Sequence, residues 1–490
     1  MNTIIEDFKK NVSEFEQKTA LIVGDEILSY EKLYKLMNAV SWSLRNGGFE
    51  KGSIISIFHE NSAAYVISYL GILNAGMTAH LIPTNLSNEK IIQQLDNANP
   101  KRIETSNSLV DKIKNVQHNC EIAILDSRAK DRNMTEREVS ELSYGTTYPN
   151  ALQSTAYLIY TSGTTGEPKG VPITYENINF TTRNIINELD YNSSDINVLP
   201  LPLSHSFGLG CLHASLSVGS TLVLLKNATN TMSILESIKK NNATTLAAVP
   251  LTLNKILKEH KDVCPDYLGN LRLIMTNTTS IPVDTVKNYR TILKNGKLAT
   301  YYGLTEASRS TFMVFDQLGK EESVGKPPVG ITIRIKNESE NELDVGEILI
   351  HGDNVIKNYW KNEPEDKIVD GWLHTGDIGH KDEDGYLYLD GRLDGLINIA
   401  GEKVVAEEIE KVVRVLTGVE DIVVVGMKNE MYGQVIKAFI KKSNNSEITK
   451  SEILTHCIKN LEAFKVPREI EFVKDLPRNE FGKIQRFRLE

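Results

Sequence analysis

Two rhythms of apolar spacing divide the chain. From Tyr30 onward, Leu33, Leu36, Met37 and Val40 recur at helical spacing, which gathers them on one face. Residues 53–58 have the length and apolar content of a buried strand, and residues 64–75 are helical again, ended by Gly76. Strand-like stretches return at 197–202, 221–225, 245–249 and 271–275, with helical stretches between them. This alternation predicts an α/β fold of layered, mostly parallel sheets with helices. After about residue 330 the pattern changes to short strands and turns, at 331–335, 346–351 and 385–389. A helix at 407–416, strands at 422–425 and 435–440 and a helix at 451–461 follow, the pattern of a small α+β domain. The expected division is an N-terminal core over 1–393 and a C-terminal domain over 394–490. Its entry, Gly391-Arg392-Leu393-Asp394-Gly395, sets glycines around an acidic residue and suits a swivel, so the C-terminal domain is expected to be mobile.

One stretch adds chemistry. The apolar residues 156–160 run into Thr161-Ser162-Gly163-Thr164-Thr165-Gly166-Glu167-Pro168-Lys169-Gly170. Glycines let backbone N–H groups turn toward an anion, and Ser and Thr hydroxyls add donors without bulk, so a strand leading into a phosphate-cradling loop is expected. The loop is not of the Walker A kind, because Glu167 and Pro168 separate Gly166 from Lys169. Kinase and GTPase readings lose their main support there.

Bulk properties narrow the class. At 490 residues the chain suits two or three domains, and 40% hydrophobic with 24% charged residues is a globular balance. A net charge of −9 argues against a nucleic-acid partner or an anionic membrane surface, although the last stretch, with Lys465, Arg468, Arg478, Lys483, Arg486 and Arg488, is locally basic. Cys120, Cys211, Cys264 and Cys457 lack metal-ligand spacing and read as reduced thiols. Residues 1–18 mix acids and bases and do not read as a signal peptide, and no run of about 18 apolar residues occurs, so membrane insertion is not expected. The expected location is cytoplasmic.

Five further clusters follow the loop in order. They are Leu201-Pro202-Leu203-Ser204-His205-Ser206-Phe207, Tyr301-Tyr302-Gly303-Leu304-Thr305-Glu306-Ala307, Trp372-Leu373-His374-Thr375-Gly376-Asp377, residues 391–404, and Leu476-Pro477-Arg478-Asn479-Glu480-Phe481-Gly482-Lys483-Ile484. Taken singly, each has an ordinary explanation: a structural histidine, a turn with a surface Glu, a capping Asp, a solvated lysine. As an ordered set they resemble the motifs of the adenylate-forming superfamily, which holds acyl- and aryl-CoA synthetases, firefly luciferase and nonribosomal-peptide adenylation domains. The resemblance runs from about residue 28 to residue 486. It implies a large N-terminal domain that includes a small distorted β-barrel part, followed by a small mobile C-terminal domain.

The resemblance also implies roles. Thr161, Ser162, Gly163, Thr164, Thr165 and Gly166 would hold the β,γ-phosphates of ATP, with Lys169 assisting. His205 would gate the space between nucleotide and acyl sites. Tyr302 would offer adenine a face, Gly303 close backbone approach, Thr305 a hydroxyl to the α-phosphate, and Glu306 a carboxylate to Mg²⁺. Asp377 and Arg392 would bind the ribose, Asp394 would be the hinge and Gly401 would line the thiol channel. Lys483 would bridge the substrate carboxylate and the α-phosphate. Glu407, Glu408 and Glu410 read instead as an exposed helix face.

The implied reaction is activation of a small carboxylic acid to an acyl-adenylate, with release of pyrophosphate, then transfer to a thiol. Coenzyme A is the first expectation, a carrier-protein phosphopantetheine loaded in trans the alternative. A luciferase-like oxygenase has no support in the residues. A non-catalytic nucleotide-binding regulator would ordinarily lose Lys483, Glu306 or Asp377, and all are present. Ser206 and Phe207 replace the Asp that would pair with an amino acid's amine, so an amino acid is disfavoured. Residues 276–280 and Ser308, Arg309 and Ser310 give the acyl pocket a polar cast, which suits a modest-sized or hydroxylated acid over a long fatty acid. Arg309 would either recognise a second anionic group on the substrate or, the commoner fate, form a surface or structural ion pair.

Overall fold

The computed structural model describes residues 3–116, 120–125, 152–162, 168–277, 281–316, 319–337, 343–362, 367–393, 396–399, 402–429, 433–478 and 484–489. The chain divides into two compact units, residues 1–332 with 350–373, and residues 333–349 with 374–490.

The larger unit holds two sheets. One has eight strands in the order Thr311–Val314, Lys297–Tyr302, Leu273–Thr276, Thr245–Ala247, Ile196–Leu199, Thr221–Leu224, Thr19–Val23 and Glu26–Ser29. Its inner pairings are parallel and its two edge strands antiparallel. The second has six strands in the order Glu121–Ile124, Arg102–Thr105, Ile54–Phe58, Thr78–Leu81, Thr155–Ser162 and Pro168–Thr174, parallel except for the last hairpin. Every residue of Ile54–Phe58 and Thr78–Leu81 is buried, as expected of strands covered on both faces.

Two helices of this unit, Ala63–Asn74 and Ser206–Val218, are apolar nearly all round and buried over most of their length. Such helices belong inside a core, and both contribute to one continuous hydrophobic cluster with residues from the two sheets. Tyr30–Asn46 turns Leu33, Leu36, Met37 and Val40 into the same cluster, the face its spacing predicts. Asp195 is buried and gripped by the Arg272 guanidinium, with its Oδ1 2.7 Å from Nε.

In the smaller unit the antiparallel strands Val419–Asn429 and Gly433–Lys442 form the long axis of a five-stranded sheet completed by Leu396–Ile399, Glu402–Val405 and Glu469–Val473. The helices Ala406–Arg414 and Lys450–Asn460 place Ile409, Val413, Ile453 and Cys457 against Ile422, Val424, Ile436 and Ile440. Another five-stranded sheet runs through Ile331–Lys336, Gly346–Gly352, Trp372–Lys381 and Ile368–Val369, with Leu387–Arg392 paired to Trp372–Lys381. No helix among the described residues is long and apolar enough to cross a membrane.

Candidate active site

In the larger unit, the predicted phosphate loop spans the hairpin between Thr155–Ser162 and Pro168–Thr174. Thr161 pairs with Lys169 and Tyr160 with Gly170, so the hairpin stem delivers the loop ends side by side. Gly163, Thr164, Thr165 and Gly166 themselves lie outside the described residues. Trp360 packs against the Cα of Gly170, where an added Cβ would meet the Trp360 Cβ at 2.7 Å.

Tyr359, one residue before that tryptophan, donates its hydroxyl to Glu306 Oε1 at 2.9 Å. Burial and the adjacent Glu306 carboxylate hold the Tyr359 phenol far above its usual pKa, so it remains a donor. Glu306 and Thr305 form the tip of a tight turn closed by reciprocal bonds between Leu304 and Ala307, 3.1 and 3.2 Å. The Glu306 carbonyl accepts from Ile356 N at 2.9 Å, which ties the tip to the segment bearing Tyr359. Gly303 is required at the base of the turn. A Cβ there would come within 2.5 Å of Arg309 N and 2.7 Å of Ala307 O, both backbone atoms. Tyr302 is buried at the end of its strand. The larger unit thus brings the hairpin stem, Tyr359–Trp360 and the Thr305–Glu306 tip into one chain of contacts. Neither Tyr359 nor Trp360 was expected from sequence, since nothing distinguishes them there from ordinary core aromatics.

His205 is the N-cap residue of the helix Ser206–Val218 and makes no capping bond with its side chain. Close packing pushes its pKa down to about 4, so its imidazole is neutral at physiological pH. Buried His80 and His213 are both held at about 3 by burial, His213 also by the nearby Arg309 charge. Depressed histidine pKa values leave the unfolded chain to take up protons first, below about pH 6.5. The stability they contribute is complete above that pH and is lost as pH falls toward 3–4. We expect denaturant midpoints to fall between pH 7 and pH 5, by up to about 2 kcal/mol for each fully buried histidine. A midpoint unchanged across that interval would show that these imidazoles are not held neutral.

Among the described residues Arg309 has no partner for the ion pair its sequence suggested. It is 2% exposed, in left-handed backbone (φ 58°), and among the described residues it bonds to neutral groups: Ser206 O, Phe207 O and Ser308 Oγ at 3.3, 3.2 and 2.9 Å. Its guanidinium lies 4.7 Å from the Tyr301 ring centre. The turn carrying Glu306 and the segment carrying His205 are joined through this side chain.

The smaller unit holds a second group. Asp377 and Arg392 are register partners on adjacent antiparallel strands, and Arg392 Nη1 donates to Asp377 Oδ1 at 2.7 Å. Thr375 Oγ1 donates to Ile348 O at 2.7 Å and accepts from Asp377 N at 2.9 Å, which fixes the backbone beneath the carboxylate. Asp394, Gly401 and Lys483 lie outside the described residues, but the residues flanking Lys483 are pinned. Arg478 and Ile484 form an antiparallel bridge, and Gln485 N donates to Pro477 O at 2.8 Å.

Here the expectation of an exposed acidic helix face fails for Glu407 and Glu410. Glu410 is buried, accepting from Val424 N at 2.8 Å and from Arg486 at 2.9 Å, while Glu407 holds the same guanidinium at 2.7 Å. Burial and the neighbouring Glu410 raise the Glu407 pKa, against the pull of Arg486. Glu408, paired with Lys465 at 2.7 Å and 42% exposed, keeps its surface role.

No cluster of three or more His, Cys, Asp or Glu suited to a metal occurs among the described residues. Glu306 fits Mg²⁺ in the other common way, as one carboxylate whose remaining partners are substrate phosphates.

Comparison with known proteins agrees with these groupings. Residues 8–360 match the AMP-binding enzyme family, and residues 408–483 match the AMP-binding enzyme C-terminal domain. An oxalate–CoA ligase of Arabidopsis thaliana is 31% identical, with 97% of this chain and 96% of that protein covered. A 2-succinylbenzoate–CoA ligase of Oceanobacillus iheyensis is 30% identical, with 98% and 96% covered. Among solved structures, the o-succinylbenzoate coenzyme A synthetase of Bacillus subtilis in complex with ATP and magnesium superposes with a TM-score of 0.86 at 26% identity, over 99% of this chain and 98% of that one. ATP-bound MatB of Rhodopseudomonas palustris, at 24% identity, shares the fold with a TM-score of 0.87 over 100% and 98%. With the family match covering most of its length, this chain belongs to the AMP-binding enzyme family and is an AMP-forming ligase of carboxylic acids with thiols.

Proposed function

We propose that the two groups divide the work of one reaction, in which ATP converts a small carboxylic acid to its acyl-adenylate and coenzyme A then takes the acyl group. The observation that carries this assignment is the Glu306 turn: a carboxylate set beside a threonine hydroxyl, over a glycine, and braced by Tyr359.

A carboxylate is a poor electrophile, and its approach to the α-phosphate sets two anions together. The protein's task is therefore alignment and charge neutralisation more than proton transfer. Residues 161–166 and Lys169 hold the β,γ-phosphates, Thr305 donates to the α-phosphate, and Tyr302 and Gly303 take the adenine. When bound, Mg²⁺ on Glu306 supplies positive charge to the triphosphate. Neutral His205 separates the nucleotide from the acyl group without adding charge. Lys483 bridges substrate carboxylate and α-phosphate, so that the carboxylate oxygen attacks phosphorus as the bond to pyrophosphate breaks. In the second step the thiol sulfur attacks the acyl carbon and AMP leaves.

The Asp377 carboxylate, oriented by Arg392, accepts from the ribose hydroxyls. Asp377→Ala is expected to raise the KM for ATP by about 10²-fold, the scale of a lost hydrogen bond to a charged group. ATP–pyrophosphate exchange measures it, and an unchanged KM would take Asp377 out of nucleotide binding.

Coenzyme A is favoured as acceptor because the relatives named above are CoA ligases. Offering coenzyme A and a phosphopantetheinylated carrier protein in parallel, with thioesters read by mass spectrometry, tests this choice. Acylation of the carrier alone would reverse it. All four cysteines are unpaired, which supports a cytoplasmic site of action. The proposal as a whole is tested by ATP–pyrophosphate exchange over short, aromatic, hydroxy and dicarboxylic acids, and no exchange with any acid would overturn it.

A further inference from the structure

Arg309 carries a buried charge that no carboxylate among the described residues balances. A guanidinium stays protonated at any pH the fold survives, and a buried charge without a counter-ion is costly. Its hydrogen-bond partners among the described residues are two main-chain carbonyls and one hydroxyl. Groups nearby that might ionise to anions do not. Burial pushes Cys211 and Tyr301 up to about 12 even against the Arg309 charge. Three of its five N–H bonds are engaged, and Nε is a buried donor with no acceptor. The unfilled donors, Nε–H and one Nη2–H, are as many as a carboxylate takes side-on from an arginine.

The location makes this a substrate question. The carbonyls that Arg309 holds belong to Ser206 and Phe207, the two residues after His205, and its own backbone N packs on Gly303 at the base of the turn that presents Glu306. The helix Ser206–Val218 has a glycine where the guanidinium lands: a Cβ on Gly210 would sit 2.3 Å from Nη2. A small cavity opens beside it, lined by Asn177, Ser206, His213, Ser308, Arg309 and Asn354. The lining mixes these polar groups with Tyr157, Ile173 and Ile178, and it contributes no carboxylate.

We propose that Arg309 sets the specificity of the acyl pocket, and that the acid activated is a short dicarboxylic acid whose far carboxylate pairs with this guanidinium while the near one is adenylated. The proposal rests on the adenylation reading above and names its substrate class. A long aliphatic acid would leave Arg309 buried without a counter-charge.

The test is ATP–pyrophosphate exchange by the full-length protein with oxalate, malonate, succinate and 2-succinylbenzoate set against propionate, butyrate and benzoate. A diacid is expected to exceed its monoacid counterpart in kcat/KM by about 10²-fold, the scale of a buried charge pair. Arg309→Gln should lower that diacid-to-monoacid ratio by a similar factor, chiefly through KM, and Arg309→Lys, which keeps charge but loses the fork, should fall between. Wild-type preference for a monoacid overturns the proposal without any variant having to fold. A ratio unmoved in a folded Arg309→Gln also overturns it. Exchange with monoacids alone leaves adenylation standing and removes only the role of Arg309. No exchange with any acid, and no rise in melting temperature from diacids with ATP, removes both.

Discussion

Lys483→Ala is expected to slow acyl-adenylate formation by 10²–10³-fold, about 3–4 kcal/mol, the effect of deleting one preorganised donor from a site where negative charge develops. The physical case is that adenylation brings together two anions, and neither Thr305 nor the backbone supplies a full positive charge to the carboxylate oxygen that attacks. ATP–pyrophosphate exchange measures the adenylation half-reaction alone. If Lys483 serves adenylation alone, thioester formation from presynthesised acyl-adenylate and coenzyme A should stay within a few-fold of wild type. Exchange at near wild-type rate in the variant would move the bridging role to another residue.

Asp394→Pro should produce the converse pattern. Proline fixes φ near −65° and removes a backbone donor, so it restricts a residue that must change conformation between two half-reactions. If the C-terminal domain pivots at this position, the variant should slow thioester formation by an order of magnitude or more while pyrophosphate exchange falls far less. Single-turnover kinetics from each side of the adenylate separate the two steps. Equal slowing of both would refute a pivot at Asp394, and with it the idea that one small domain serves the two steps in turn.

Much of the fold was legible because burial leaves a trace in composition. The run at residues 53–58 and the helical spacing of Leu33, Leu36, Met37 and Val40 both ended in the interior as read. The candidate site drew notice where chemistry demands short strings of special residues, such as glycine, hydroxyl and acid within the four positions 303–306. It was not legible where function depends on a partner far along the chain. Glu407 and Glu410 look like a solvated helix face until Arg486, 76 residues beyond Glu410, is brought against them. Arg309 reads as a surface residue because arginine ordinarily is one. Its burial is decided by Gly210 and the carbonyls of Ser206 and Phe207, about a hundred residues earlier. Tyr359 has no local signal, since a tyrosine bracing a carboxylate and a tyrosine filling a core are the same letter.

The pinned segment around Lys483 bears on the entropy of turnover. A lysine on an unrestrained terminal segment would have to surrender backbone freedom each time it entered the active site, at about 1–2 kcal/mol for every residue ordered. Here Arg478 and Ile484, on either side of residues 479–483, are joined by an antiparallel bridge, and the Arg486 side chain is held by two glutamates, so the flanks of the lysine's stretch are fixed once, when the unit folds. If Lys483 bridges carboxylate and α-phosphate, the Arg486 clamp would serve catalysis without touching substrate, by holding the flanks from which the lysine must reach in every cycle.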